Sequence, residues 1–156
     1  MRHKKVQKRQ IEGDKVYRNK LVAKFTNIIM KDGKKSIAQK VIYKTFELLS
    51  KNGDPVEIFE KALQNVGPRQ EVRPRRVGGA SYQVPVEVRG ERKTLLAIRW
   101  VLDAAKSRAN NEFPTFPEKL AAELMDAYKE EGQAIKKRDT VHRMAEANRA
   151  FSHFRF

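Results

Sequence analysis

Four arginines, Arg73, Arg75, Arg76 and Arg89, flank the dipeptide Gly78-Gly79 in the stretch from Glu71 to Arg89. Guanidinium groups are permanently charged and grip phosphate oxygens through paired N–H donors, so arginines at this density need anions. From Tyr82 the residues alternate, with Tyr82, Val84, Val86 and Val88 on one face and Gln83, Pro85, Glu87 and Arg89 on the other, which is the period of a strand. Gly78-Gly79 supplies the positive φ angles of a tight reversal. Pro74 and Pro85 lack the N–H that an interior strand donates, so the stretch reads as an isolated hairpin, about 71–89, projecting from a body. A bare ribbon is only marginally stable in water, so its Val and Tyr face must lean on something. The alternative is a solvated surface hairpin.

Further cations are spread along the chain. Gly33-Lys34-Lys35-Ser36 has the ending of a nucleotide phosphate loop, but Ile28 stands where that motif's first glycine belongs and a helix precedes it, so a nucleotide site is rejected. Lys34 and Lys35 instead lie between one helix end and the next helix N-terminus, where they suit a single backbone phosphate or simply a solvated loop. Lys136, Lys137, Arg138, Arg143 and Arg149 load the last helix with positive charge. Phe151, His153, Phe154 and Phe156 interleave with Arg155, and Phe154 and Phe156 either stack on unpaired bases or strap onto the protein's own core. Trp100, beside Arg99, either covers the core edge, the preferred reading, or stacks on a base.

Catalytic constellations do not emerge. His3, His142 and His153 have no metal-ligand spacing and read as surface or stacking residues, so no metal is expected. Glu123, Asp126 and Glu130-Glu131 face no evident apolar pocket that would raise a carboxyl pKa, and read as a solvated acidic face. No Ser, His and Asp group suggests a triad. The chain has no cysteine, which removes thiolate catalysis, disulfides and Cys-based metal sites. Neither an enzyme, nor a cofactor, nor a small-molecule substrate is expected.

Charge names the class of partner instead. Lys and Arg total 34 against 19 Asp and Glu, a formal +15 on 156 residues, which in a compact domain means self-repulsion until a polyanion binds. Residues 1–20, 69–93 and 132–156 each carry a clear excess of positive charge, while 112–131 is acidic. No apolar run is long enough to span a membrane, and the basic start lacks the apolar stretch of a signal peptide, so a soluble, cytoplasmic protein is expected.

The elements that must position these groups are mostly helices. Residues 1–18 carry charge without apolar periodicity and read as a flexible basic arm, including Arg2, Lys4, Lys5, Lys8 and Arg9, with Val6, Ile11, Val16 and Tyr17 too sparse for a core. Residues 19–156 then form one helical domain. Leu21, Val22, Phe25, Ile28 and Ile29 recur at helical spacing before Gly33; Ser36 caps a second stripe of Ile37, Val41, Ile42, Thr45, Leu48 and Leu49. Asp54-Pro55-Val56-Glu57 is a strong start for a third helix, stopped by Gly67-Pro68. A fourth carries Leu95, Ile98, Val101, Leu102 and Ala105; a fifth, opened by Thr115 and Glu118, turns Leu120, Leu124, Met125 and Tyr128 inward and stops around Gly132. A sixth carries Ile135, Val141, Met144 and Ala145. The fold is thus mainly α, a single six-helix bundle-like domain with a protruding two-stranded hairpin inserted between the third and fourth helices.

Taken in order, Gly33-Lys34-Lys35-Ser36, Arg75-Arg76-Val77-Gly78-Gly79, Tyr82 through Val88, Ala97-Ile98-Arg99-Trp100, and Lys136-Lys137-Arg138 through Phe151 closely resemble the bacterial small-subunit ribosomal protein seven family, over nearly the whole chain. The resemblance implies direct binding to the 3′ major domain of small-subunit rRNA and nucleation of the subunit head. It implies a place at the subunit interface, with the hairpin tip Val77, Gly78, Gly79, Ala80, Ser81 and Tyr82 beside exit-site tRNA and mRNA. Small-subunit ribosomal proteins nine and eleven are the implied protein neighbours, and repression of its own operon is implied in some bacteria. On the residues alone, the arm, Lys34-Lys35, the hairpin base and the last helix make a discontinuous basic surface that suits folded RNA. A basic DNA-binding protein would add a recognition helix and usually a dimer interface, and an RNA-modifying enzyme would add a cofactor loop or acid–base cluster.

Overall fold

The computed structural model describes residues 10–154. α1 (Lys20–Ile29) starts at Asn19, whose Oδ1 accepts the N–H of Leu21 at 2.7 Å, and turns Val22 and Phe25 inward. α2 (Lys35–Leu49) begins one residue before Ser36, so the expected Ser36 cap is corrected: Lys34 is the N-cap and no side chain caps the helix. Its buried stripe is Ala38, Ile42, Thr45, Phe46 and Leu49, whereas Ile37, expected in the core, is 56% exposed. α3 (Pro55–Val66) is capped by Asp54, whose Oδ1 accepts the N–H of Val56 at 3.0 Å, with proline at the first helical position, where a missing N–H costs nothing.

β1 (Gln70–Val77) and β2 (Ala80–Glu87) form an isolated antiparallel pair. Val77 faces Ala80 across Gly78-Gly79, whose φ angles of 58° and 86° match the tight reversal expected from sequence. α4 (Gly90–Ser107), α5 (Phe116–Tyr128), α6 (Gly132–Ala147) and a terminal 3-10 helix (Arg149–Phe154) complete the chain.

The middle of the body is α5, which packs on α2, α3, α4 and α6. Leu120, Leu124 and Ala127 are fully buried there, against Phe59, Phe46, Ile98 and Val101 in one continuous core. Phe25 and Phe46 both meet Phe59, at ring centroids 5.2 and 5.4 Å apart. Trp100 packs at the core edge, as expected. Acidic residues thus sit on and beside the most central helix, and two of them on α5, Glu123 and Asp126, are paired with a cation.

Part of the stretch assigned to the arm is folded onto this body. Asp14 is buried, and both its carboxylate oxygens accept from the Tyr43 hydroxyl, at 3.1 and 3.0 Å. Its backbone closes a turn through Arg18 N–H to Asp14 O at 2.8 Å and Asp14 N–H to Asn19 O at 3.1 Å. Tyr17, read as too isolated for a core, packs edge-on to Phe46 with centroids 4.8 Å apart. The sequence signal was weak because a single aromatic and a single carboxylate have no periodicity.

Candidate nucleic-acid interface

The hairpin has a packed root and an exposed tip. Val84 and Pro85 are both buried although they lie on opposite faces of β2, so the root is covered on both sides, by α6 and by the terminal 3-10 helix. Tyr82 stacks against Phe154 and Phe151, with centroids 5.0 and 5.4 Å away. Of the tip residues, Gly78, Gly79, Ala80 and Ser81 are exposed and Val77 is half-buried, while Tyr82 belongs to the packed part. The ring of Phe154 is engaged by Tyr82 and by His153, 4.0 Å away, and is partly buried. Met144, expected in the core, is 55% exposed on α6.

The four hairpin arginines separate into two kinds. Arg73 donates to Glu71 at 2.6 Å, and Arg92 grips the same carboxylate with Nε and Nη2, each at 2.7 Å. These bonds, Arg92's first, hold the Glu71 carboxyl below its ordinary range against the opposing effect of burial. Arg89 pairs with Glu87. Arg75 and Arg76 are exposed and form no ion pair among the described residues. They sit opposite Tyr82 and Ser81 and, as neighbours on a strand, point to opposite faces.

α6 repeats this sorting. Lys136, Lys137 and Arg143 are exposed; Lys136 and Arg143, seven residues apart, lie on one helical face two turns apart. Arg138 is turned inward, donating to the carbonyl of Asn65 at 2.8 Å and to Asp139 at 2.8 Å, with its side chain 20% exposed. Arg149 is exposed and pairs with Glu146 at 3.1 Å. Because β1 packs along α6, Arg75, Arg76, Lys136, Lys137 and Arg143 belong to neighbouring elements. Lys34 and Lys35 lie elsewhere, at the α1–α2 turn, where Lys31, Lys34 and Lys106 rim an apolar groove containing Ile37 and Phe116. Arg2, Lys4, Lys5, Lys8, Arg9 and Phe156, together with His3 and Arg155, lie outside the described residues.

What aims α6 is a carboxylate read from sequence as solvated. That reading is corrected: Glu123 is 0% exposed. Its Oε2 accepts Nε and Nη2 of Arg108, at 2.8 and 2.5 Å, while Oε1 accepts the N–H of Ala134 at 2.9 Å, in the first turn of α6. A carboxylate there also meets the positive end of the helix dipole. Asp126, partly exposed, pairs with Arg108 as well. Lys119, also buried, donates to the carbonyl of Arg108 at 2.5 Å and to Asn110 at 2.6 Å, tying down the α4–α5 connection. No group of metal-binding side chains occurs among the described residues.

The arrangement is a folded body that neutralises its interior charges and leaves a basic ribbon and helix face open. That is the pattern of a polyanion-binding protein of the helical, hairpin-bearing kind. A family model described as ribosomal protein S7p/S5e matches residues 1–149. The chain is 52% identical to small ribosomal subunit protein uS7 of Thermotoga neapolitana, with all of both chains covered, and 54% identical to uS7 of Fervidobacterium nodosum, again over both whole chains. It is 55% identical to uS7 of Caldicellulosiruptor bescii, over 97% of this chain and 96% of that one. The chain belongs to the S7p/S5e family of ribosomal proteins, as its ordered motifs suggested, and that family is not an enzyme class.

Proposed function

We propose that this protein binds small-subunit rRNA directly through the surface formed by β1 and α6, with a second contact at the α1–α2 turn. The observation that carries the reading is the division of its cations. Arg73, Arg92, Arg108 and Arg138 are bonded within the protein, whereas Arg75, Arg76, Lys136 and Lys137 are exposed on adjacent elements without an ion pair among the described residues. Two elements of different shape presenting unpaired cations suit the backbone of a folded RNA, read by shape rather than by linear sequence. Arg143 and Arg149 extend this surface, Lys34 and Lys35 make the second contact, and the arm residues Arg2, Lys4, Lys5, Lys8 and Arg9 contribute further cations to the RNA.

The family supports the finer reading. The RNA is the 3′ major domain, the protein nucleates assembly of the subunit head, and it works in the cytoplasm as part of the ribosome. The hairpin tip, with Gly78 to Ser81 exposed, lies toward exit-site tRNA and mRNA, and proteins nine and eleven are the protein's neighbours. The same basic surface represses translation of its own operon by binding that mRNA.

The test is a binding titration of the full chain against the isolated 3′ domain at several salt concentrations. Neutralising about six phosphates, at a slope near 0.7 each, predicts a loss of roughly 300-fold between about 50 and 200 mM monovalent salt. A flat response, or equal affinity for duplex DNA, would refute the reading.

A further inference from the structure

A second concentration of charge lies off the β1–α6 surface. The C-terminal end of α3, the connection into β1, the start of α4 and the middle of α6 enclose a recess of about 570 Å³. Lys61, Arg69, Lys93 and Arg138 line it, against a single lining carboxylate, Glu130. Arg138 is committed to Asn65 and Asp139, and Lys61 lies 4.6 Å from the Tyr128 ring centre. Arg69 and Lys93 have no ion pair among the described residues. Beside them His142 accepts the backbone N–H of Arg69 through Nε2, at 2.9 Å, so its ring is neutral in this arrangement.

We propose that this recess holds one phosphate group of an RNA chain, with the side chains of Arg69 and Lys93 donating to its oxygens and His142 placed to join them. The proposal rests on the RNA-binding reading and adds to it a defined phosphate site, formed where residues of two basic stretches, 69–93 and 132–156, meet beside α3. The chemistry follows from what each group has left to give. A phosphate needs several donors converging on three or four oxygens, and the Arg69 guanidinium and the Lys93 ammonium are the uncommitted ones here. His142 adds a conditional donor. Burial first, and then Arg138, Arg69 and Lys93, push its imidazole below the ordinary value of 6.5, with Asp139 opposing them. An anion between Arg69 and Lys93 reverses the electrostatic part of that effect. Protonated Nε2 can no longer accept from Arg69, so both that N–H and the imidazolium N–H become donors to the phosphate. Binding therefore takes up a proton, and affinity rises as pH falls.

Two arms test this with the full chain. In the first, inorganic phosphate is titrated while the His142 ring is followed by NMR. A saturable shift and a raised His142 titration midpoint are expected, absent with chloride at equal ionic strength; identical responses to both salts overturn the site. In the second, binding to the 3′ rRNA domain is measured across salt for Lys93→Gln and Arg69→Gln. Each should lower the salt slope, and the two changes together should lower it by about 0.7, the value of the one phosphate contact they share. His142→Gln keeps an acceptor for the Arg69 N–H and should abolish the several-fold tightening expected between about pH 7.5 and pH 5.5. Gly67→Ala adds a control that keeps every charge: a Cβ there would lie 2.7 Å from Lys93 Cε and push that side chain aside, so it should lower the slope in the same direction as Lys93→Gln but by less. If the wild-type chain fails to bind rRNA, the RNA reading falls. If it binds steeply and all variants keep its slope, only the recess assignment falls.

Discussion

The guanidinium of Arg108 closes on the buried carboxylate of Glu123, with Nε 2.8 Å and Nη2 2.5 Å from the same oxygen. The other oxygen of Glu123 holds the N–H of Ala134, so one interior ion pair joins the end of α4, the middle of α5 and the start of α6. The basic face of α6 takes its orientation from this joint.

Glu123→Gln should therefore destabilise the protein by about 2 kcal/mol, since it leaves Arg108 to Asp126 alone and offers one amide oxygen where two carboxylate oxygens served Arg108 and Ala134. Asp126→Asn, at the wetter side of the same arginine, should cost no more than about 1 kcal/mol. Urea denaturation of both variants measures the contrast. Equal, small losses would show that the interior pair does not organise the helices.

Lys136 and Lys137 are predicted to act on RNA, and Arg138 on the fold. The double change to alanine should weaken rRNA binding on the order of tenfold, with an unchanged circular dichroism spectrum and melting temperature. Arg138→Ala should instead lower stability by about 1–2 kcal/mol, by releasing the Asn65 carbonyl. A melting temperature that falls equally in the double variant and in Arg138→Ala would contradict the division.

The hairpin tip and its root should behave differently. Removing Gly78 to Ser81 and joining Val77 to Tyr82 through a short turn leaves the Tyr82 stack on Phe151 and Phe154 in place, so melting should shift by no more than about 3 °C and primary rRNA binding should persist. Tyr82→Ala should cost about 1 kcal/mol or more, because it empties that stack. Ribosomes carrying the shortened tip should assemble and show altered tRNA release or reading-frame maintenance. Loss of rRNA binding in a folded, shortened protein would make the tip a primary anchor instead.

Glu71 gives a pH signature. Its carboxyl lies below the ordinary value of 4.5 in the folded protein, chiefly through the Arg92 bonds, so the unfolded chain binds the proton more readily. The stabilisation is complete above that ordinary value and is lost as pH falls through the depressed one. Glu71→Gln should lower stability at neutral pH and flatten the acid limb of the stability curve. An acid limb identical to the wild type would show that Arg92 and Arg73 do not favour the charged form.

Most of the helical frame was legible because its signals are local. Asp54-Pro55, the Phe25 and Phe59 stripes and the Gly78-Gly79 turn specify conformation within a few residues of themselves. The positions that escaped are fixed by distant partners. Nothing near Glu123 in sequence announces Arg108, and Asp14 meets Tyr43 across 29 positions. Ile37 and Met144 misled in the opposite direction, since an apolar residue beside a helical stripe is not itself evidence of burial. Of the candidate site, the arginines were visible as a group, but which are already paired depends on Glu71 and Asn65, and so on the tertiary fold.

The central place of α5 has a consequence for synthesis of the chain. Helices α2, α3 and α4 all bury their apolar faces against a helix made after them, so a growing chain that has reached Ser107 has four helices and no completed interior. Its core is completed only by α5 and by Ala134 and Ile135 of α6, so until these have emerged the strongly basic segments made earlier are attached to an apolar surface still open to other chains.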